Sequence, residues 1–183
     1  MKGLEDIQQQ ASKLSNNLSS KPPLHLWHPP LSGTIDIVIK SNGDWLHEGD
    51  KIERQPLVNL FASILRREED GEYYLVTPNE KWRLSVEDFP LLIVQMDIVG
   101  EATDAQCIMF TTNVETQIRL DNDHCLVIDT DAKGQPIPHI NIGNGLSAKL
   151  NRAVFYRLVS LAQEINHTWT VQSAGKGFEL GAV

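Results

Sequence analysis

Basic side chains beside predicted turns and helix ends are the residues best suited to bind an anion. They are Lys81, Arg54, Arg66, Arg67 and Arg152. Lys81 follows a turn at the start of a predicted strand, so its ammonium can project toward a phosphate. Arg66 and Arg67 lie about 100° apart on a predicted helix, so only one of them can face a given ligand. The alternative is a solvated surface, because the run 66–70 has two bases and three acids that can pair with each other.

Aromatic side chains could provide a platform for a planar ligand. The candidate rings are those of Trp27, Trp45, Trp82 and Tyr74. Any nucleobase can stack on such a ring, and we expect Trp27 or Trp82 to do so. The other interpretation is that these rings fill the core or cover a seam between domains, where pockets are also common. Thr112 and Asn113, at the end of a predicted strand, could orient the ligand by hydrogen bonds.

The segment Gly143–Ala148 matches the pattern G-x-G-x-x-A of dinucleotide-binding proteins, and Glu164 lies about 20 residues further along the chain. In that motif the acid ends a second strand, whereas Glu164 falls inside a predicted helix. Only 35 residues follow Ala148, which is too few for a Rossmann domain. We therefore interpret the segment as a turn that caps a helix, although a helix N-terminus there could still face an anion.

No arrangement of nucleophiles or metal ligands in the sequence identifies a reaction. The six histidines lack metal-ligand spacing, and His124 and Cys125 are strand neighbours whose side chains point to opposite faces. Cys107 and Cys125 lie in apolar runs and are predicted to be buried thiols. We predict no metal site and no cofactor, and we favour a binding protein over an enzyme. A hydrolase for a nucleotide-like substrate is the catalytic alternative, with candidate acids Glu48, Glu69 and Asp88.

The composition indicates an acidic globular protein. The 183 residues include 24 acids and 16 bases, a formal net charge of −8. This balance argues against a nucleic-acid partner, because phosphate neutralisation needs clustered lysines and arginines. No stretch approaches the roughly 18 apolar residues of a membrane span, and the polar N-terminus has no signal-peptide core. We expect a cytoplasmic location.

The apolar pattern predicts an α+β fold with mostly antiparallel strands and few helices. Strands are predicted at 34–40, 45–47, 72–77, 81–86, 91–96, 108–112, 116–120, 126–129 and 138–142. Pro56 opens a helix that runs through the charged residues 66–70 to a cap at Gly71. A second helix covers the apolar residues from Leu150 to Ile165, and a hairpin closes the chain.

The order of strands, helix and hairpin occurs twice, which indicates an internal duplication. The first copy covers residues 34–86 and the second 117–180, and a shift of 94 residues superposes the apolar faces of the two helices. We place the boundary near Gly100–Asp104. The predicted domains are an N-terminal helix at 1–21, a first repeat at 22–100 and a second repeat at 101–183. The helix carries an apolar stripe of Leu4, Ile7, Ala11, Leu14 and Leu18.

The sequence resembles a bacterial family of uncharacterised proteins, domain-of-unknown-function family 1285. The strongest block is the run Leu60–Lys81. The other blocks are His25–Pro30, Ile35–Ile39, Gly43–Gly49, Val86–Pro90, Thr111–Asn113 and Arg152–Val159. The match begins near residue 22, and the N-terminal helix lies outside it.

The resemblance implies two duplicated domains, the second similar to pleckstrin-homology-type folds, with a ligand site between them. It also implies a nucleotide-based ligand and a role in bacterial signal transduction. Our leading hypothesis is thus a sensor that binds a small anionic ligand. The alternative is an interaction module without a small ligand. Its N-terminal helix and its Pro-rich segment, residues 24–33 with Trp27, would engage a protein partner or a second copy.

Overall fold

The computed structural model describes residues 7–13, 22–101, 103 and 105–182 of the chain. It divides into two compact units. Unit 1 comprises Met1–Pro90 with Asn144–Leu146, and unit 2 comprises Leu91–Gly143 with Ser147–Val183. The division therefore follows Pro90 and not the predicted Gly100–Asp104. The reason is that the strand Leu91–Val99 pairs only with strands of unit 2, so Gly100 lies inside that unit.

Unit 1 is built on one six-stranded sheet. Its strands are β1 (Leu31–Ile39), β2 (Trp45–His47), β3 (Asp50–Lys51), β4 (Leu65–Arg67), β5 (Tyr73–Val76) and β6 (Lys81–Val86), in the order β3-β2-β1-β6-β5-β4. Helix α2 (Gln55–Ser63) separates β3 from β4, residues 7–13 form helix α1, and Leu24–Leu26 is a 3-10 turn. All neighbours in the sheet are antiparallel except β1 and β6, which are parallel.

Alternating apolar residues place one face of β1 in the core of unit 1. Ile35, Ile37 and Ile39 are buried while the residues between them are not, as strand periodicity requires. Val58 and Phe61 of α2 are buried as well. In α1, Ile7 and Ala11 are buried, in agreement with the predicted stripe, whose members Leu4, Leu14 and Leu18 lie outside the described residues.

Helix α2 ends earlier than predicted. It stops at Ser63, and Leu65–Arg67 is strand β4, so the charged residues do not extend the helix and Gly71 is not its cap. Leu65 and Arg66 are both buried, and both lie in the register that pairs β4 with β5. Gly71 instead takes a positive φ of 84° in the turn between β4 and β5, a conformation that costs glycine least.

Unit 2 contains a second six-stranded sheet and a smaller three-stranded one. The first has β7 (Leu91–Val99), β8 (Cys107–Thr112), β9 (Gln117–Arg119), β10 (Leu126–Thr130), β11 (Pro136–Gly143) and β12 (Leu146–Leu150), in the order β10-β11-β12-β7-β8-β9. Helix α3 (Arg152–Ser160) follows β12. The second sheet has β13 (Gln163–Ile165), β14 (Thr168–Ser173) and β15 (Lys176–Ala182), and it includes the predicted closing hairpin.

The two six-stranded sheets have the same topology. Adding six to each strand number of unit 1 gives the strand order of unit 2 read from its opposite edge, and in both sheets the first strand pairs in parallel with the last. The predicted duplication and the α+β fold are thereby confirmed. The predicted offset of 94 residues is wrong, because α2 lies between the third and fourth strands of its sheet whereas α3 follows the sixth.

The second helix and the glycine segment before it also differ from the prediction. The segment Gly143–Gly145 is the turn between β11 and β12, so it precedes a strand and not a helix. Leu150 belongs to β12 and Ile165 to β13, and α3 begins only at Arg152. The fingerprint therefore has neither the helix nor the helix N-terminus that a dinucleotide site requires.

Neither cysteine is fully buried, contrary to the prediction. Cys107 and Cys125 are both free thiols of intermediate exposure. Among the described residues, no helix is long and apolar enough to cross a membrane.

A buried serine holds the last hairpin against the main sheet of unit 2. The hydroxyl of Ser173 donates to the carbonyl of Leu120 at 2.7 Å and accepts the backbone N–H of Ile108 at 2.8 Å. Ser173→Ala would leave both backbone groups without this partner, and we expect a loss of about 2 kcal/mol in the free energy of unfolding. Urea denaturation measures it, with the exposed Ser85→Ala as the control; equal stabilities for the two variants would contradict this role.

Candidate functional site

A cavity of about 570 Å³ in unit 1 gathers several of the predicted site residues. Its lining consists of six charged residues, two histidines and one proline: His25, His28, Pro29, Arg66, Arg67, Glu68, Glu69, Asp70 and Lys81. Strand β4 and the turn after it supply the run 66–70, and β6 supplies Lys81. The cavity thus joins three of the predicted anion ligands, Lys81, Arg66 and Arg67.

Arg66 is the structural centre of this cavity. It is only 9% exposed, and its Nη1 donates to the carbonyls of Leu24 at 2.7 Å and Trp27 at 2.8 Å. Its Nη2 bonds to Glu68. The guanidinium therefore ties the Pro-rich segment to β4, and its buried Nε has no hydrogen-bond partner among the described residues.

Glu68 pairs with two cations at once. One carboxylate oxygen accepts from Arg66 and the other accepts from Lys81 Nζ at 2.7 Å. Burial raises the pKa of Glu68, but the hydrogen bonds from Lys81 and Arg66 outweigh it, so the pKa lies below its ordinary value. The ammonium of Lys81 also lies 4.7 Å from the centroid of the Tyr74 ring, at cation–π distance.

The remaining charges of the unit 1 cavity differ in how they are engaged. The Oδ2 of Asp70 accepts from the Tyr74 hydroxyl at 2.6 Å, which is the main reason that the pKa of Tyr74 rises to about 12. Arg67 is exposed and donates through Nε to the carbonyl of Gly71 at 3.1 Å. Glu69 is exposed. The lining holds three cations and three acids, so its formal charge, with neutral histidines, is zero.

A second cavity, of about 460 Å³, lies in unit 2. It combines two cations and two aromatic rings with an apolar wall: Asp131, Gln135, Pro136, Ile137, Pro138, Lys149, Leu150, Arg152, Phe155 and Tyr156. The turn between β10 and β11 forms one side, and the end of β12 with the start of α3 forms the other.

The charge of the unit 2 cavity is positive. Asp131 is its one acid, and that carboxylate accepts the backbone N–H groups of Lys133 and Gln135, each at 2.8 Å. Arg152 is exposed at the first position of α3, where Asn151 caps the helix by accepting from Val154 N. With Lys149 and Arg152 against one acid, the lining has a formal charge of +1.

The other predicted ligands have structural contacts of their own. Thr112 is buried and its Oγ1 accepts the backbone N–H of Thr116 at 3.1 Å. Asn113 accepts the backbone N–H of Leu92 at 3.0 Å.

The predicted stacking rings and Arg54 lie outside the linings of both cavities. Trp45 is 1% exposed and belongs to the core, as the alternative interpretation had it. Trp27 and Trp82 are half-buried, and the Nε1 of Trp82 donates to Glu80 at 3.3 Å. Arg54 is exposed at the start of α2.

The sequence reasoning missed Lys149 and Tyr156. Lys149 lies on β12 between the buried Ala148 and Leu150, and the alternation of Leu146, Ala148 and Leu150 is the signal that could have predicted this strand. Tyr156 is 63% exposed on α3. It lies two residues from each of the buried Val154 and Leu158, which places it on the opposite side of the helix.

The one thiol–imidazole neighbour pair is not arranged as a nucleophile. His124 Nδ1 lies 3.2 Å from Asp121 Oδ1, while the thiol of Cys125 donates to the carbonyl of Asn122 at 3.2 Å. Within the described ranges, no group of three or more His, Cys, Asp or Glu residues could hold a metal ion.

Two family models together cover most of the chain. The DUF1285 N-terminal domain, a domain of unknown function, matches residues 22–89, and the DUF1285 C-terminal domain matches residues 90–180. The chain belongs to the DUF1285 family. The boundary between the two DUF1285 models falls at Pro90, where the compact units also divide.

Solved structures of DUF1285 family proteins are similar to this chain. One from Silicibacter pomeroyi DSS-3 is 36% identical with a TM-score of 0.82, and the match covers 91% of this chain and 90% of that one. One from Shewanella baltica OS155 is 31% identical with a TM-score of 0.55, covering 69% and 91%. No curated protein matches the chain. The likeness of the second DUF1285 domain to pleckstrin-homology folds stays a prediction.

The pairing of Glu68 with two cations predicts a pH-dependent contribution to stability. Glu68→Gln would leave Lys81 and Arg66 without their shared carboxylate, and we expect a loss of about 2 kcal/mol at pH 7. Because the folded pKa of Glu68 lies below its ordinary 4.5, the contribution is complete above pH 4.5 and disappears as the pH falls through the folded value.

Denaturant unfolding of the wild type and Glu68→Gln between pH 7 and pH 3 measures this difference. The exposed Glu69→Gln is the control and should stay within about 0.5 kcal/mol of the wild type. A difference that is constant over this range of pH would contradict the ion-paired role of Glu68.

Proposed function

We propose that this DUF1285 protein binds a small anionic ligand that carries a planar ring, and that the unit 2 cavity is the binding site. The observation that carries the proposal is the combination of Lys149, Arg152 and the exposed ring of Tyr156 around one cavity with a positive lining. A nucleoside monophosphate is the representative ligand, since it joins a phosphate to a planar base.

Charge favours unit 2 over unit 1 as the site of an anion. The unit 1 lining is formally neutral, and Lys81 and Arg66 already share Glu68. In unit 2 the single acid, Asp131, is engaged by the backbone of its own turn. The guanidinium of Arg152 makes no hydrogen bond or ion pair within the described part of the chain, and a guanidinium can bind a phosphate through two parallel hydrogen bonds.

The walls of the unit 2 cavity suit a planar group. Tyr156 and Phe155 offer rings, and Pro136, Pro138 and Leu150 contribute apolar surface. Stacking of a base on an aromatic side chain stabilises binding without selecting one base. The volume of about 460 Å³ also lies within the range of small-molecule sites. The family resemblance implies a role in signal transduction. A receptor that binds this ligand could play that role without any catalytic group.

Arg152→Ala tests the electrostatic half of the site. We expect calorimetric titration with adenosine and guanosine 5′-monophosphate to show about tenfold weaker binding, because one phosphate contact is lost. Arg54→Ala is the matched control, since it removes an exposed arginine that lines neither cavity and should leave affinity unchanged. If both variants lost nucleotide affinity equally, the loss would come from the change in net charge and not from a contact of Arg152. No binding to the wild type at millimolar nucleotide would overturn the proposal and favour the interaction module.

Tyr156→Ala tests the aromatic half of the site. We expect its affinity for adenosine 5′-monophosphate to fall about tenfold, while Tyr156→Phe keeps the ring and binds like the wild type. Trp169→Ala is the control, because Trp169 is 42% exposed and lies outside both linings. Binding of inorganic phosphate should be the same in all three variants; equal losses for phosphate and nucleotide in Tyr156→Ala would contradict a stacking role.

A further inference from the structure

We infer that the unit 1 cavity is a separate binding site for a zwitterion, a free α-amino acid or a short peptide with both termini charged. This inference is independent of the proposed function, because it concerns other residues and another class of ligand. The two cavities differ in the charge of their linings. The unit 1 lining has cations and carboxylates in equal number, whereas the unit 2 lining has an excess of cations.

The anionic end of such a ligand would bind N–H donors of Lys81 and Arg67 that are not used in hydrogen bonds between the described residues. Lys81 gives one of its three N–H groups to Glu68, and its ammonium remains a lining group of the cavity. Arg67 uses Nε for the carbonyl of Gly71, and its two Nη groups make no hydrogen bond with the described residues. These donors suit the two oxygens of a carboxylate.

The buried Arg66 adds positive charge beside this cavity. Its side chain lines the cavity, is about nine-tenths buried, and keeps one donor, Nε, without an acceptor. A buried donor without a partner costs free energy, and native proteins satisfy most such groups. A ligand carboxylate in the cavity would place negative charge beside the guanidinium whose donor is unsatisfied.

The cationic end of the ligand meets Glu69. Its carboxylate lines the cavity, is exposed, and makes no hydrogen bond or ion pair within the described ranges. The other two acids are already engaged, Glu68 by Lys81 and Arg66, and Asp70 by the Tyr74 hydroxyl. Glu69 is therefore the acid of this lining that an ammonium can approach without breaking a bond of the fold.

A ligand of one sign fits this lining poorly. A dianion would bring its charge near Glu69 and Asp70, and a simple cation would face Arg67 and Lys81. Like charges at short range destabilise a complex and so exclude such ligands. Only a molecule with both charges satisfies the free donors and the free carboxylate together.

Thermal-shift and calorimetric titrations of the full chain test the inference. The ligands are the twenty free L-amino acids and L-alanyl-L-alanine, followed by the N-acetylated and C-amidated forms of the tightest binder. We expect the zwitterion to bind and each blocked form to bind at least about tenfold more weakly, because each loses one charged contact. Equal binding of the N-acetylated form, or no binding by any of these ligands at about 10 mM, which is above the usual range of KM values, would overturn the inference.

Variants then assign the site without disturbing the fold. Glu69→Gln should abolish the preference for a free ammonium and leave the blocked form unchanged, whereas Glu72→Gln, an exposed acid three residues away and outside the lining, should bind like the wild type. Arg152→Ala should not affect the zwitterion, and Glu69→Gln should not affect nucleotide binding, so the failure of one site is distinguishable from the failure of the other. If Arg152→Ala alone weakened the zwitterion, the assignment to unit 1 would be wrong.

Discussion

The parallel pairing of the first strand with the last is the constraint on which each six-stranded sheet depends. The antiparallel neighbours are consecutive in the chain, but β1 pairs with β6, and β7 with β12, across four intervening strands. These parallel pairs also position a lysine beside each cavity. Lys81 lies opposite Leu31 in the first sheet and Lys149 opposite Leu92 in the second, so each cavity takes a lysine from the last strand of its sheet.

The two units share this sheet topology but differ in how their charged side chains are arranged. In unit 1, Arg66 is buried beneath the Pro-rich segment, and a buried guanidinium requires a nearby carboxylate and hydrogen-bond acceptors. Glu68 and the carbonyls of Leu24 and Trp27 meet that requirement. In unit 2, Arg152 is exposed at the start of α3, so its guanidinium is hydrated and needs no such compensation.

The sequence patterns predicted local structure well and long-range structure poorly. The alternation of Ile35, Ile37 and Ile39 predicts β1, and the family resemblance rests on continuous blocks that the DUF1285 models confirm. The apolar pattern predicts helix for the run after Ser63, whereas Leu65 and Arg66 belong to a strand that pairs with β5. The offset between the repeats also depends on strand pairing, which no local pattern contains, and Lys149 was missed for the same reason.

We propose that an anion with a planar ring binds unit 2 through the surface formed by the β10–β11 turn and the start of α3. Backbone amide NMR of the ¹⁵N-labelled protein, titrated with adenosine 5′-monophosphate, measures this most directly. We expect the largest changes in chemical shift at residues 131–137 and 149–156. Changes confined to other parts of the chain, or no saturable change at millimolar nucleotide, would contradict it.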